Sequence, residues 1–237
     1  MEINILVVDD EKEIADLVEL YLKNEGYNVC KFYTGKKAIE CIDTMKLDLA
    51  ILDVMLPDID GFSICQKIRE KHHYPVIMLT AKVENIDKIT GLTIGADDYI
   101  TKPFNPLEMV ARVKAQLRRY TRYNTLDVNE TKTVENMNEF DFSGLIINKD
   151  THKCSLYGEP LSLTPIEFSI LWYLCENRGK VVSSEELFEA VWGDKYLDNN
   201  NTVMAHIGRI REKMKEPPRK PKFIKTVWGV GYQIEKD

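Results

Sequence analysis

Through the first 120 residues, short and nearly unbroken apolar runs alternate with longer stretches in which apolar side chains recur every three or four positions. The runs are Ile3–Val8, Val29–Phe32, Leu49–Leu52, Val76–Leu79 and Tyr99–Thr101. Runs of this length without polar alternation predict strands buried on both faces of a parallel sheet. Between them, Ile14, Leu17, Val18, Tyr21 and Leu22 keep helical spacing up to Gly26. Ala38, Ile39 and Ile42 mark a second helix, and Phe62, Ile64, Cys65 and Ile68 a third after the turn at Asp60-Gly61. A further helix is expected near Ile86 to Ile94, closed by Gly95. The last opens at Pro106 and carries Leu107, Val110, Ala111, Val113 and Leu117. Five strand and helix units in alternation predict an α/β fold, a five-stranded doubly wound sheet covered by helices on both sides.

Residues 121–138 break the pattern. They are polar, rich in Asn and Thr and without sustained periodicity, so a linker is expected between a first domain at 1–120 and a second at 139–237. The second domain opens with short runs at Phe142–Asn148, Lys153–Leu156 and Pro160–Leu163, with a turn at Tyr157-Gly158-Glu159, the mark of antiparallel strands. Thr164, Pro165 and Glu167 then supply a capping residue, a first-turn proline and the acid of a capping box, ahead of Phe168, Leu171, Trp172 and Cys175. Ser183 and Glu186 repeat the capping box before Leu187, Val191 and a stop at Gly193. A third helix, from about Asn200 to Met214, carries Val203, Ile207, Ile210 and Met214 as its apolar stripe. Phe223–Val227 and Gly231–Ile234 form a closing hairpin around Trp228-Gly229-Val230. Three helices and a hairpin predict a C-terminal winged helix-turn-helix domain.

Charge refines this picture by segment. Residues 1–120 hold 20 acids and 16 bases, whereas residues 139–237 hold 15 and 14. Within the latter, Ala205 to Lys225 concentrates Arg209, Arg211, Lys213, Lys215, Arg219, Lys220, Lys222 and Lys225 against only Glu212 and Glu216. Such a patch is either a solvated helix face and basic loop or a footprint for a phosphate backbone. Cys30, Cys41, Cys65, Cys154 and Cys175 form no C-x-x-C pair, which argues against a zinc or disulfide framework. No apolar stretch approaches bilayer-spanning length, and Met1-Glu2-Ile3-Asn4 has no basic lead-in, so a soluble cytoplasmic chain is expected, with no membrane partner.

In parallel α/β sheets, reacting groups gather at the carboxyl ends of strands. Here those ends carry Asp9, Asp10 and Glu11 after the first strand, Asp53 at the third, Thr80 at the fourth and Lys102-Pro103 at the fifth. The acids could merely cap the following helix. Taken together, though, several carboxylates at neighbouring strand ends repel unless a cation intervenes, and a hard divalent ion such as Mg²⁺ suits them. With a hydroxyl and an ammonium added, the set has the parts of a phosphoryl site: nucleophile, cation, donor and charge clamp. There is no G-x-G-x-x-G or P-loop to cradle a nucleotide. A Mg²⁺-dependent phosphatase of the haloacid dehalogenase type, fused to a nucleic-acid anchor, is the alternative. It would want an Asp two residues after the nucleophile, where this chain has Met55.

Asp9-Asp10, Asp53, Thr80 and Lys102-Pro103-Phe104, in that order and spacing, resemble the receiver domain of two-component response regulators, a flavodoxin-like fold. Leu163-Thr164-Pro165-Ile166-Glu167-Phe168, Val191-Trp192-Gly193, Arg209-Ile210-Arg211 and Gly229-Val230-Gly231-Tyr232 resemble the output domain of the OmpR/PhoB family. The runs Glu13 to Asn24, Thr90 to Phe104 and Phe223 to Tyr232 are similar to those of the vancomycin-resistance regulators within it. The resemblance implies a phosphoacceptor with possible self-dephosphorylation rather than a turnover enzyme. Asp53 would accept a phosphoryl group from a sensor histidine kinase, and Asp10, Asp53 and the Met55 carbonyl would hold Mg²⁺, with Asp9 acting through water. Lys102 and Thr80 would contact the phosphoryl oxygens, and Thr80 would draw Tyr99 inward. It also implies a phosphorylation-promoted homodimer. Its face would lie on the helix near Ile86 to Ile94, the fifth strand and the helix after Pro106, with Lys88, Asp97, Asp98, Glu108, Arg112 and Arg119 forming pairs such as Lys88 to Glu108 and Asp98 to Arg112. Ordinary surface charge is the alternative.

For the output domain, Thr202, His206, Arg209 and Lys213 align beside the apolar stripe and are expected to form a polar, basic outer edge. With Arg211, Thr226, Trp228 and Tyr232 they are the expected contacts to double-stranded promoter DNA, with RNA polymerase a further partner. Transcription of cell-wall or glycopeptide-resistance genes is the implied output. Two positions depart from the family. Gly208 and Trp228 stand where many members carry Arg.

Overall fold

A computed structural model describes residues 2–81, 95–124, 138–193, 202–217 and 220–236. The chain divides into two compact units, Met1–Tyr120 and Thr121–Asp237.

The first unit runs β1 (Asn4–Val8), α1 (Lys12–Asn24), β2 (Asn28–Phe32), α2 (Gly35–Thr44), β3 (Leu49–Asp53), α3 (Gly61–Lys71), β4 (Val76–Ala81), β5 (Asp98–Lys102) and α4 (Pro106–Asn124). The helix expected near Ile86 to Ile94 lies outside the described residues. The five strands are all parallel, in the order β2-β1-β3-β4-β5. Strand periodicity of two sorts the core. Leu6, Val8, Ala50, Leu52 and Met78 pack with Ala38, Ile42, Ile64, Cys65 and Ile68 of α2 and α3. Ile5, Val7, Leu49, Ile51, Ile77 and Leu79 pack with Val18 and Leu22 of α1 and with Met109, Val113 and Leu117 of α4. Both faces of the central strands are thus dry, which is why their sequences show no polar alternation.

Two local features fix the end of β3. Asp60 caps α3 by accepting from Ser63 N at 2.9 Å. At Gly61 an added Cβ would lie 2.1 Å from the Asp53 carbonyl oxygen, so only glycine lets α3 start this close to the strand end. Helix α4 continues to Asn124, four residues into the stretch expected to be linker.

The second unit runs β6 (Glu139–Phe142), β7 (Leu145–Asn148), β8 (Lys153–Leu156), β9 (Glu159–Pro160), α5 (Pro165–Glu176), α6 (Ser184–Trp192), α7 (Thr202–Lys213), β10 (Ile224–Val227) and β11 (Gly231–Ile234). Its opening sheet has four antiparallel strands where three were expected. The run at Phe142–Asn148 is split because Ser143 and Gly144 both take positive φ, 50° and 89°, and make a two-residue hairpin turn. The capping box at Thr164 and Glu167 is complete. At Ser183 only half of one forms, since Glu186 turns its carboxylate to the Tyr173 hydroxyl at 3.0 Å. The three helices and the β10-β11 hairpin enclose one core that includes Phe168, Leu171, Trp172, Leu187, Trp192, Val203, Ile207 and Ile210. Tyr232 pins the hairpin to the body by a backbone bridge to Val182, 2.8 Å in both directions.

Candidate functional site

The sheet register brings the strand-end residues together. Val8 pairs with Leu52, Asp53 with Leu79, Thr80 with Thr101 and Ala81 with Lys102, so all the expected groups lie at one edge of the sheet. Asp9, Asp10 and Asp53 each present an oxygen within 4.8 Å of the others, with Asp9 and Asp53 buried and Asp10 exposed. Asp9 also accepts from Glu11 N at 3.0 Å, and Asp53 from Met55 N at 3.4 Å. Lys102 Nζ stands among the acids, 2.8 Å from Asp9, 3.0 Å from Asp53 and 3.1 Å from Glu11.

The electrostatics follow from this crowding. Burial pushes the Asp9 carboxyl up to about 6, with the Asp53 charge adding to the rise and Lys102 opposing it. Asp53 is raised as well, again by burial first and against the pull of Lys102. Burial would lower Lys102, but the three carboxylates outweigh it and hold the ammonium charged. A single positive charge therefore serves three acids. Three hard oxygens at this spacing fit a divalent ion such as Mg²⁺, which prefers carboxylate and water ligands. Thr80 is buried, with its hydroxyl donating to the Ala81 carbonyl at 2.8 Å, and the half-buried Tyr99 packs against the core face that contains Met78, its hydroxyl buried.

In the second unit, the expected outer edge of α7 is corrected. Thr202, His206 and Arg209 are buried at 6%, 0% and 7% exposure. The reason is a carboxylate reached from α5. Glu167, itself fully buried, accepts from Lys213 Nζ at 2.6 Å and faces Arg209 Nη1 at 3.7 Å, while Arg209 Nη2 lies 2.7 Å from His206 Nδ1. The His206 ring packs on Trp192, with centroids 5.4 Å apart. The polar row faces inward as a buried charge network. Burial alone would raise the Glu167 carboxyl, but Arg209 and Lys213 hold it below its ordinary value. The outward face carries Met204, half exposed, with Gly208 beside it. Arg211 braces the hairpin, donating to the Ile224 carbonyl at 2.6 Å and to Thr226 Oγ1 at 2.9 Å and lying over the Tyr232 ring. Tyr232 is buried, whereas Trp228 at the hairpin tip is 90% exposed.

Residues 5–114 match the response regulator receiver domain family, and residues 158–234 match the family described as transcriptional regulatory protein, C terminal. The chain belongs to the OmpR/PhoB family of response regulators. It is 64% identical over 236 residues to Regulatory protein VanRc of Enterococcus gallinarum and 63% identical over 237 residues to Regulatory protein VanR of Enterococcus faecium, with 100% of each chain covered. Among solved structures it is similar to the response regulator DrrB, a Thermotoga maritima OmpR/PhoB homologue, at 38% identity, full coverage of both chains and a TM-score of 0.51. A phosphatase fused to a nucleic-acid anchor is not supported by these matches. Among the described residues, no helix is long and apolar enough to cross a membrane.

In this response regulator the residues expected on a dimer face divide. Asp97 is corrected: its carboxylate is buried, accepting from Arg69 Nη2 at 2.6 Å and from Val76 N at 2.8 Å, and it secures α3 to the start of β4. Asp98, also buried, and the exposed Glu108 both pair with Arg112 within the one chain, at 3.2 and 3.0 Å. Arg119 is half-buried, and Lys88 lies outside the described residues. Glu167 is the residue that sequence reasoning undervalued. Its signal was a lone charge in the mostly apolar run Ile166 to Cys175.

Proposed function

We propose that Asp53 takes a phosphoryl group from a phosphohistidine of a sensor histidine kinase, and that phosphorylated chains pair to bind promoter DNA and act on RNA polymerase in the cytoplasm. The convergence of Asp9, Asp10, Asp53 and Lys102 carries this reading. In the transfer, the P–N bond to the imidazole breaks, the nitrogen keeps the electron pair, and a P–O bond forms to a carboxylate oxygen of Asp53. Lys102, already 3.0 Å from Asp53, is placed to pair with the phosphoryl oxygens. Thr80 exchanges its bond to the Ala81 carbonyl for one to the phosphoryl group, which biases the surroundings of Tyr99. Asp9, Asp10 and Asp53, with the Met55 carbonyl, would hold Mg²⁺, whose charge would offset that of the transferring group. The chain is on this reading a phosphoacceptor that dephosphorylates itself, not a turnover enzyme. Full-length similarity to VanRc and VanR supports vancomycin-resistance genes as its targets.

Incubation of the full chain with a small acyl phosphate and Mg²⁺ tests the chemistry. One alkali-labile phosphoryl group per chain is expected, and it should vanish in Asp53→Asn. Full labelling of that variant would overturn the assignment.

A further inference from the structure

The burial of Thr202, His206 and Arg209 leaves a different strip of α7 to meet DNA. Recognition helices read base edges with their N-terminal turns. In the first two turns of α7, the residues not buried in the core are Met204, 50% exposed, Ala205, half-buried, and Gly208, exposed with nothing within 4 Å of where a Cβ would stand. None has a side-chain donor or acceptor. Arg209, next to Gly208 in the chain, is turned inward beside Glu167 and His206, and Lys213 is tied to the same Glu167 carboxylate. Glu212 lies beyond these turns.

We infer that Met204, Ala205 and Gly208 are the specificity-determining residues of the recognition helix, and that they read the 5-methyl groups of thymines in the major groove. The inference rests on the DNA-binding reading above and narrows its ligand. Guanine is read by bidentate Arg or Lys and adenine by Asn or Gln, none of which the strip offers, whereas an apolar side chain meets a thymine methyl. Gly208 lets the helix backbone approach the base edges without a side chain between. Duplex DNA is the occupant that the surroundings fit, because the exposed Lys215 and Lys220, which follow α7 in the chain, supply positive charge for its phosphates. Glu167 is the positioning residue: by holding Arg209 and Lys213 from inside, it sets which side of α7 faces out.

The test uses the full chain. Selection from a random duplex library gives its preferred site, and synthetic copies are then made with thymine replaced by uracil, which removes only the methyl. Each methyl in contact should be worth about fourfold in affinity, the partitioning of one buried carbon. Met204→Ala, at an exposed position, should shrink the difference between thymine and uracil at the bases it meets and leave the remainder to Ala205. Gly208→Arg should shift the selected site toward guanine. Equal binding of uracil and thymine duplexes, or guanine-centred sites lost with Arg209→Met, would overturn methyl reading while leaving DNA binding intact. Selection that enriches no sequence would overturn the DNA-binding reading itself, and this inference with it.

Discussion

Lys102 Nζ lies 3.0 Å from Asp53 Oδ2, so the buried carboxylate at the end of β3 already holds a cation beside it. The same ammonium serves Asp9 and Glu11. Lys102→Met removes the ammonium that pairs with these acids among the described residues, and with it a competitor of a divalent ion. Calorimetric titration should show the half-saturating Mg²⁺ concentration falling by about threefold or more, given that charges this close interact by several kcal/mol when half-buried. The yield of phosphorylated Asp53 should fall in the same variant. Unchanged Mg²⁺ affinity would mean that the ammonium does not compete for the acids.

Asp97 is expected to matter for folding and not for pairing. Replacing it with Asn leaves Arg69 buried beside a neutral amide, and breaking a buried pair costs about 3 kcal/mol. Urea unfolding of the receiver, followed by far-ultraviolet circular dichroism, should show that loss. The response of DNA binding to phosphorylation should survive in whatever fraction stays folded. A variant as stable as the parent would return Asp97 to the surface.

Acid should weaken the C-terminal unit through Glu167. Its folded value lies below the ordinary 4.5, so the stability it contributes is fully present above about pH 4.5 and is lost as pH falls through the folded value. All three tryptophans, Trp172, Trp192 and Trp228, lie in this unit, so their fluorescence follows its unfolding alone. Glu167→Gln should flatten the acid dependence and lower stability near neutrality by about 3 kcal/mol. An unchanged acid profile in that variant would assign the dependence to other carboxyls.

Phosphorylation should raise affinity for a duplex with two half-sites and barely change affinity for one, because pairing gives the second contact an effective concentration. Glu108→Lys should weaken the gain, and adding Lys88→Glu should partly restore it. Glu108 now rests on Arg112, so a dimer that uses it has to exchange a pair within the chain for one between chains. Equal gains on whole and half sites would place the effect inside a single output domain.

The cluster of Asp9, Asp10, Asp53 and Lys102 was legible because its members stand at strand ends, where a parallel sheet gathers them whatever the loops do. Asp9, Asp10, Asp53, Thr80 and Lys102 needed only strand order to be brought together. Asp97 and Asp98 were harder, because neighbours at the start of a strand point to opposite sides, and the partner that draws Asp97 inward is Arg69, on a helix that precedes it by one strand. On α7 the apolar stripe of Val203, Ile207 and Ile210 was plain, but it has two flanks. Polarity favoured exposing the flank with Thr202, His206, Arg209 and Lys213. One buried carboxylate contributed by α5 reversed the choice, and no periodicity within α7 records that.

The Oε2 atom of Glu167 accepts both from Thr164 N at the start of α5 and from Lys213 Nζ at the end of α7. Neither helix end can therefore open without disturbing the other, although the two lie 46 residues apart in the chain. Amide protons in the first turn of α5 and the last turn of α7 should exchange with solvent in one shared event, so this end of α7 has no private route by which to unravel.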